Sequence, residues 1–124
     1  MMEVRVTVAI PTYHRPDYLL DALQSIIAQD TNFAFEVIVV DNGCDTTLRS
    51  RVAAIGQQAA VSVRYLPVPE IGLHNARHAA AHAAHGEIIV YVDDDVIAPA
   101  GWLAAMVEPF VDPTVAIVGG KTVP

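Results

Sequence analysis

The chain has 124 residues, 53% of them hydrophobic, a formal charge of −7 and one cysteine, Cys44. That length suits one domain around one sizeable core, and the hydrophobic share argues against disorder. The acidic balance argues against a nucleic-acid backbone as partner, no apolar run reaches the roughly 18–20 residues of a membrane span, and a lone cysteine excludes an intramolecular disulfide.

In chain order, VRVTVAI (4–10) is rich in β-formers and runs into Pro11, which predicts a first strand. RPDYLLDALQSIIAQ (15–29) carries Leu19, Leu20, Leu23, Ile26 and Ile27 at helical spacing, with Pro16 suited to a first turn. FEVIVVD (35–41) is a continuous apolar run closed by Asp41. TTLRSRVAAIGQQ (46–58) predicts a helix capped by Asp45. VSVRYL (61–66) predicts a third strand, and LHNARHAAAHAAHG (73–86) an alanine-rich helix stopped by Gly86. EIIVYVD (87–93) predicts a fourth strand, AGWLAAMVEPF (100–110) contains a short helix, and TVAIVGG (114–120) predicts a last strand. Valine- and isoleucine-rich strands alternating with helices predict an α/β fold with a Rossmann-like, mostly parallel sheet and helices on both faces.

In such sheets ligands bind beyond the carboxyl ends of the strands. Those ends carry PTYHR (11–15), DNG (41–43), PEIG (69–72) and DDD (93–95). DNG is also an ordinary turn signal, so Asp41 reads equally as a turn residue or as a ligand contact. The triplet is less ordinary, because adjacent carboxylates repel one another. In extended backbone Asp93 and Asp95 face one side and Asp94 the other. Two carboxylates on one side make a hard-oxygen site for Mg²⁺ or Mn²⁺, completed by substrate phosphates and water. The plainer alternative is a solvated acidic loop.

VAIPTYHRPDYLLDALQSI (8–26), FEVIVVDNG (35–43) and GLHNARHAAAHAAHGEIIVYVDDDV (72–96), in that order, resemble the family 2 glycosyltransferases, enzymes of the GT-A fold that use nucleotide-sugar donors. The resemblance spans nearly all of residues 4–124, including the tail VAIVGGKTVP. It implies that Pro11, Thr12 and Tyr13 pack against the nucleotide base, and that Asp41 accepts a hydrogen bond from it. An acceptor there favours uracil, thymine or guanine over cytosine. It implies that Arg77 lies near base and phosphates, as in the family's A-R-N motif. Asp93 and Asp95 match the family's D-x-D pair, with Asp95 as metal ligand and Asp93 and Asp94 reaching toward ribose or donor sugar. The cofactor implied is Mn²⁺ or Mg²⁺, and the donor a UDP-, GDP- or dTDP-sugar. The sequence departs from the family at Cys44, Glu70 and His78, where Ser, Asn and Asn are common.

On this resemblance residues 1–124 are the nucleotide-sugar-binding part of a GT-A domain. The intact protein is expected to transfer a sugar to an acceptor with inversion. The catalytic base is expected in the acceptor-binding half, outside this chain, so Glu108 and Asp112 are not assigned the role. Within the chain the alternative is a non-catalytic nucleotide-binding or assembly module, with an exposed apolar surface suited to a homo-oligomer. A cytoplasmic setting is expected, with the membrane surface as an option for the intact protein, since MMEVRVTVAIPTY shows no secretory signal. A phosphoacceptor receiver domain is set aside, because its acidic pair follows the first strand, where this chain has PTYHR. His74, His78, His82 and His85 share one predicted helix, and the His78–His82 spacing suits zinc. The plainer reading is a polar helix face. Arg15 reads as an exposed helix-start arginine, Trp102 as core, and Lys121 as a solvated lysine or a strand-end contact.

Overall fold

The computed structural model describes residues 3–112. The strand expected over 114–120, and Lys121 after it, lie outside the described residues. Four strands, β1 (Val6–Thr12), β2 (Phe35–Asp41), β3 (Ser62–Pro67) and β4 (Ile88–Tyr91), form one parallel sheet in the order β3-β2-β1-β4. Between them run α1 (Pro16–Ile27), α2 (Thr46–Gln58) and α3 (Leu73–Ala83). After β4 come a short helix α4 (Trp102–Val107) and a 3₁₀ turn over Glu108–Val111.

The alternation of strand side chains sorts the core into two layers. Val6, Val8, Ile10, Val37, Val39 and Val90 face one way, packed by Leu19, Leu23 and Ile26 of α1, Leu48 and Val52 of α2, and Leu103 and Val107 of α4. Ala9, Ile38 and Val40 face the other way, against Ala76 and Ala80 of α3. The two central strands, β1 and β2, are covered on both faces, which is why they read as mostly apolar runs broken only by Thr7, Thr12, Glu36 and Asp41. Alanines on α3 let that helix sit close to the sheet.

Element boundaries differ from expectation where polar contacts intervene. The first strand continues through Pro11 and Thr12, which pair with Val40 and Asp41 of β2. Pro11 is tolerated because β4 pairs with β1 only as far as Ala9, so beyond that point β1 is an edge. The third helix stops at Ala83 rather than 86 because buried side chains capture the next amides. The His85 N–H donates to Glu36 Oε2 at 2.7 Å, and the Gly86 N–H to Thr7 Oγ1 at 2.9 Å. The fourth strand ends at Tyr91, and the aspartate triplet lies in the turn that follows.

The chain adds strands outward from β1 to β3, then returns to place β4 on the other side of β1. Strand order therefore reverses between β1 and β4, and ligands of open parallel sheets sit beyond such a reversal.

Candidate functional site

A cavity of about 430 Å³ opens at that reversal, lined by Pro11, Thr12, Tyr13 and Arg15 after β1, Asn42 after β2, Ile71–Leu73 at the start of α3, and Asp93–Asp95 after β4. Among the described residues, the triplet supplies every carboxylate on this wall. Four of the cavity's side chains, Thr12, Arg15, Asp94 and Asp95, are tied together by polar contacts. Thr12 Oγ1 donates to Asp94 Oδ2 at 2.9 Å, in a buried position. Arg15 reaches Asp94 Oδ1 through one nitrogen and Asp95 Oδ2 through the other, each at 3.4 Å. The guanidinium also sits over the Tyr18 ring, 4.8 Å from its centroid. Asp94 is buried, whereas Asp93 and Asp95 are exposed. The turn holding them is closed by the Val96 N–H donating to the Asp93 carbonyl.

The other wall is tied to β2. The Asn42 amide donates to the carbonyls of Val68 at 2.9 Å and Glu70 at 3.0 Å, fixing the segment that leads to Ile71 and Leu73. Gly72 adopts φ 137°, a conformation that favours glycine. The β1 and β2 loops meet where His14 packs on Gly43: a Cβ on Gly43 would lie 3.0 Å from the His14 ring. Tyr13, Ile71 and Leu73 stay largely exposed, giving the mouth an apolar rim above an acidic floor.

Asp41 and Arg77 do not line this cavity. Asp41 is buried beside it. Its Oδ1 accepts from the Gly43 N–H at 2.8 Å, and its Oδ2 from the Asp45 N–H at 3.0 Å and the Tyr65 hydroxyl at 2.6 Å. Burial, and then the Asp41 carboxylate, hold the Tyr65 phenol well above its usual range, so it remains a donor to Asp41 at neutral pH. Arg77 is exposed on α3, its guanidinium 5.6 Å from the Tyr91 ring centroid. Sequence reasoning set Arg15 aside and missed Asn42. Arg15 sits four residues after Pro11 and Asn42 one residue after Asp41, so proximity to the strand ends was the available signal.

The donor set fits a hard divalent cation shared with a ligand and does not fit a cage made by protein alone. Asp93 and Asp95 offer exposed carboxylate oxygens at the cavity wall. No group of three metal-ligating side chains converges among the described residues. Carboxylates of this kind hold Mg²⁺ or Mn²⁺ when phosphate oxygens and water complete the shell.

The chain is similar to a glycosyltransferase of Nostoc sp. (strain PCC 7120), at 28% identity over 107 residues, which is 86% of this chain and 33% of that protein. In structure it is similar to Staphylococcus aureus TarS residues 1–349, with a TM-score of 0.73 at 26% identity, covering 98% of this chain and 38% of that one. It is also similar to the mannosyltransferase PcManGT from Pyrobaculum calidifontis, with a TM-score of 0.71 at 30% identity, covering 93% of this chain and 34% of that one. The chain thus spans about a third of each of these three proteins. The glycosyl transferase family 2 profile matches residues 7–124, which take in all of the strands and helices around the cavity except Val6, and the chain belongs to that family.

Proposed function

We propose that the intact protein transfers a sugar from a nucleotide diphosphate sugar to an acceptor hydroxyl with inversion, and that this chain supplies donor and metal binding. The observation that carries this reading is the cavity at the strand reversal, where the Pro11–Tyr13 loop faces the triplet Asp93–Asp95. Support for the donor class comes from relatives: TarS has been solved with UDP-GlcNAc, and PcManGT with GDP-Man and Mn²⁺.

In this reading Pro11, Thr12 and Tyr13 form one side of the base pocket, with Ile71 and Leu73 as the apolar opposite side. Asp41 is assigned the base N–H although it is buried and does not line the cavity: its two oxygens already take three donors, and a carboxylate has about four acceptor positions. Arg77 is assigned to the phosphates. Asp93 and Asp95 would hold Mn²⁺ or Mg²⁺, which when bound neutralises the diphosphate as it leaves. Asp94 is fixed by Thr12 and Arg15, so it braces its two neighbours and presents its remaining acceptor capacity to the donor.

Calorimetry with UDP, GDP and CDP tests the reading. UDP or GDP should bind more tightly in Mn²⁺ than in EDTA, and CDP should bind worst. Asp95→Asn should lose the metal-dependent part with little change in the melting temperature of the free chain. Equal affinity in EDTA and Mn²⁺ would sink the metal assignment, and failure of every nucleotide to bind would sink the donor site.

A further inference from the structure

We infer that His78 and His82 form a bidentate site for a borderline divalent transition cation, Zn²⁺, Cu²⁺ or Ni²⁺, on the solvent face of α3. The register of α3 is set by Ala76 and Ala80, which are fully buried against the sheet. Two residues further along a helix lie about 200° around it. His78 and His82 are therefore turned to solvent, and both are exposed. One turn apart on the same face, they bring Nε2 to within 3.1 Å of Nε2.

That separation suits coordination. Metal–imidazole bonds of about 2.0–2.1 Å spanning 3.1 Å subtend roughly 95–102° at the ion. The angle lies between the square-planar value of about 90°, common for Cu²⁺ and Ni²⁺, and the tetrahedral value of about 109° of Zn²⁺. Without a metal, one Nε2–H donates to the other Nε2 at this distance. A cation takes both Nε2 lone pairs once that proton has moved to Nδ1 or to water. Imidazole nitrogen favours these borderline ions over Mg²⁺ and Mn²⁺, so the pair selects against the cations that suit the carboxylates of the cavity.

Neighbouring histidines do not complete the shell. The His74 ring is stacked on His78 at 6.2 Å between centroids and does not converge with the pair. His85 turns away, with Nδ1 3.3 Å from Glu36. The remaining positions are open to water or to a group from another molecule. A cation bridging one turn would also clamp α3, which has no side-chain cap at its start and whose first residue, Leu73, lines the cavity.

Cu²⁺ titration of the 124-residue chain, followed by electron paramagnetic resonance with diamagnetic Mg²⁺ in excess, tests the site. The expected result is one saturable equivalent of Cu²⁺ with hyperfine structure from two imidazole nitrogens. It should be lost in His78→Ala and in His82→Ala, and kept in His74→Ala. Zn²⁺ should raise the melting temperature of the wild type and leave that of His82→Ala unmoved. Metal-free melts check the fold of each variant, and His82→Gln carries the same test should His82→Ala melt early. Wild-type binding in the His78 and His82 variants, or loss of binding in His74→Ala, would overturn the assignment.

Discussion

Asp41 holds a turn through its carboxylate, and the proposed function gives the same carboxylate a ligand. Its three donors are two amides of the β2–α2 turn and the Tyr65 hydroxyl from the neighbouring strand. Asp41→Ala leaves all three without a buried acceptor, and hydrogen bonds to a charged group contribute about 1.5–3 kcal/mol. A loss of about that size should appear in urea denaturation of the nucleotide-free chain. Unchanged stability with weakened UDP binding would confine Asp41 to base recognition. Arg15 poses the converse case. It is the cation nearest Asp94 and Asp95, so Arg15→Gln should raise Mn²⁺ affinity severalfold without nucleotide, because a competing positive charge is removed. Mn²⁺ resonance titration reads this directly, and an affinity that falls would show that Arg15 organises the aspartates rather than competing for them.

At the scale of elements, the α3–β4 connection is held by the far end of the sheet. Glu36 is buried at the start of β2 and is reached by the Thr7 hydroxyl at 2.7 Å, by Arg64 Nη2 at 2.9 Å and by the His85 N–H at 2.7 Å. Burial alone would push its carboxyl up. The hydrogen bonds from His85 and Thr7, with the Arg64 charge, outweigh that and hold it below 4.5. The stabilisation is complete above the unfolded value of 4.5 and is lost as pH falls through the lower folded value. Glu36→Gln should therefore cost about 1.5–3 kcal/mol at neutral pH. The gap to wild type should close on acidification, as urea midpoints across an acid series would report; a constant gap would mean the charge is irrelevant. Gly86 makes the same connection sterically. A Cβ there would lie 2.6 Å from the Thr7 amide nitrogen and 2.7 Å from the Val6 carbonyl carbon, both rigid backbone of β1. Gly86→Ala should destabilise by about 1–3 kcal/mol, as overpacking does. A thermal melt equal to wild type would show that the loop yields.

For the molecule as a whole, the proposed function separates donor binding from transfer. Inversion needs a base near the attacking hydroxyl and contacts that hold it in line. Among the described residues no carboxylate other than the triplet lines the cavity, and Glu108 lines a separate hollow by α4. The relatives named above extend over about three times the length of this chain. The 124-residue chain is therefore expected to bind donor, to hydrolyse it weakly at most, and to glycosylate nothing. Mass spectrometry of an acceptor library incubated with nucleotide sugars and Mn²⁺ checks this. Robust product would place a base within these residues or on a second copy.

Local pattern and strand-end chemistry belonged to the sequence. Continuous valine and isoleucine runs specified buried parallel strands, because only a sheet covered on both faces tolerates them. Asp45 announced its cap, since its side chain meets amides two and three residues on, a purely local geometry. The ordered motifs ending in PTYHR, DNG and DDD marked the family. What the sequence left open depended on partners distant in the chain. That Asp94 is buried and Asp93 and Asp95 exposed follows from Thr12, 82 residues away, and from Arg15 across the strand reversal. That α3 stops at Ala83, when its alanine pattern continues, follows from Glu36 and Thr7 capturing two amides. Local spacing cannot encode such contacts, because their energy exists only once β1, β2 and β4 lie side by side.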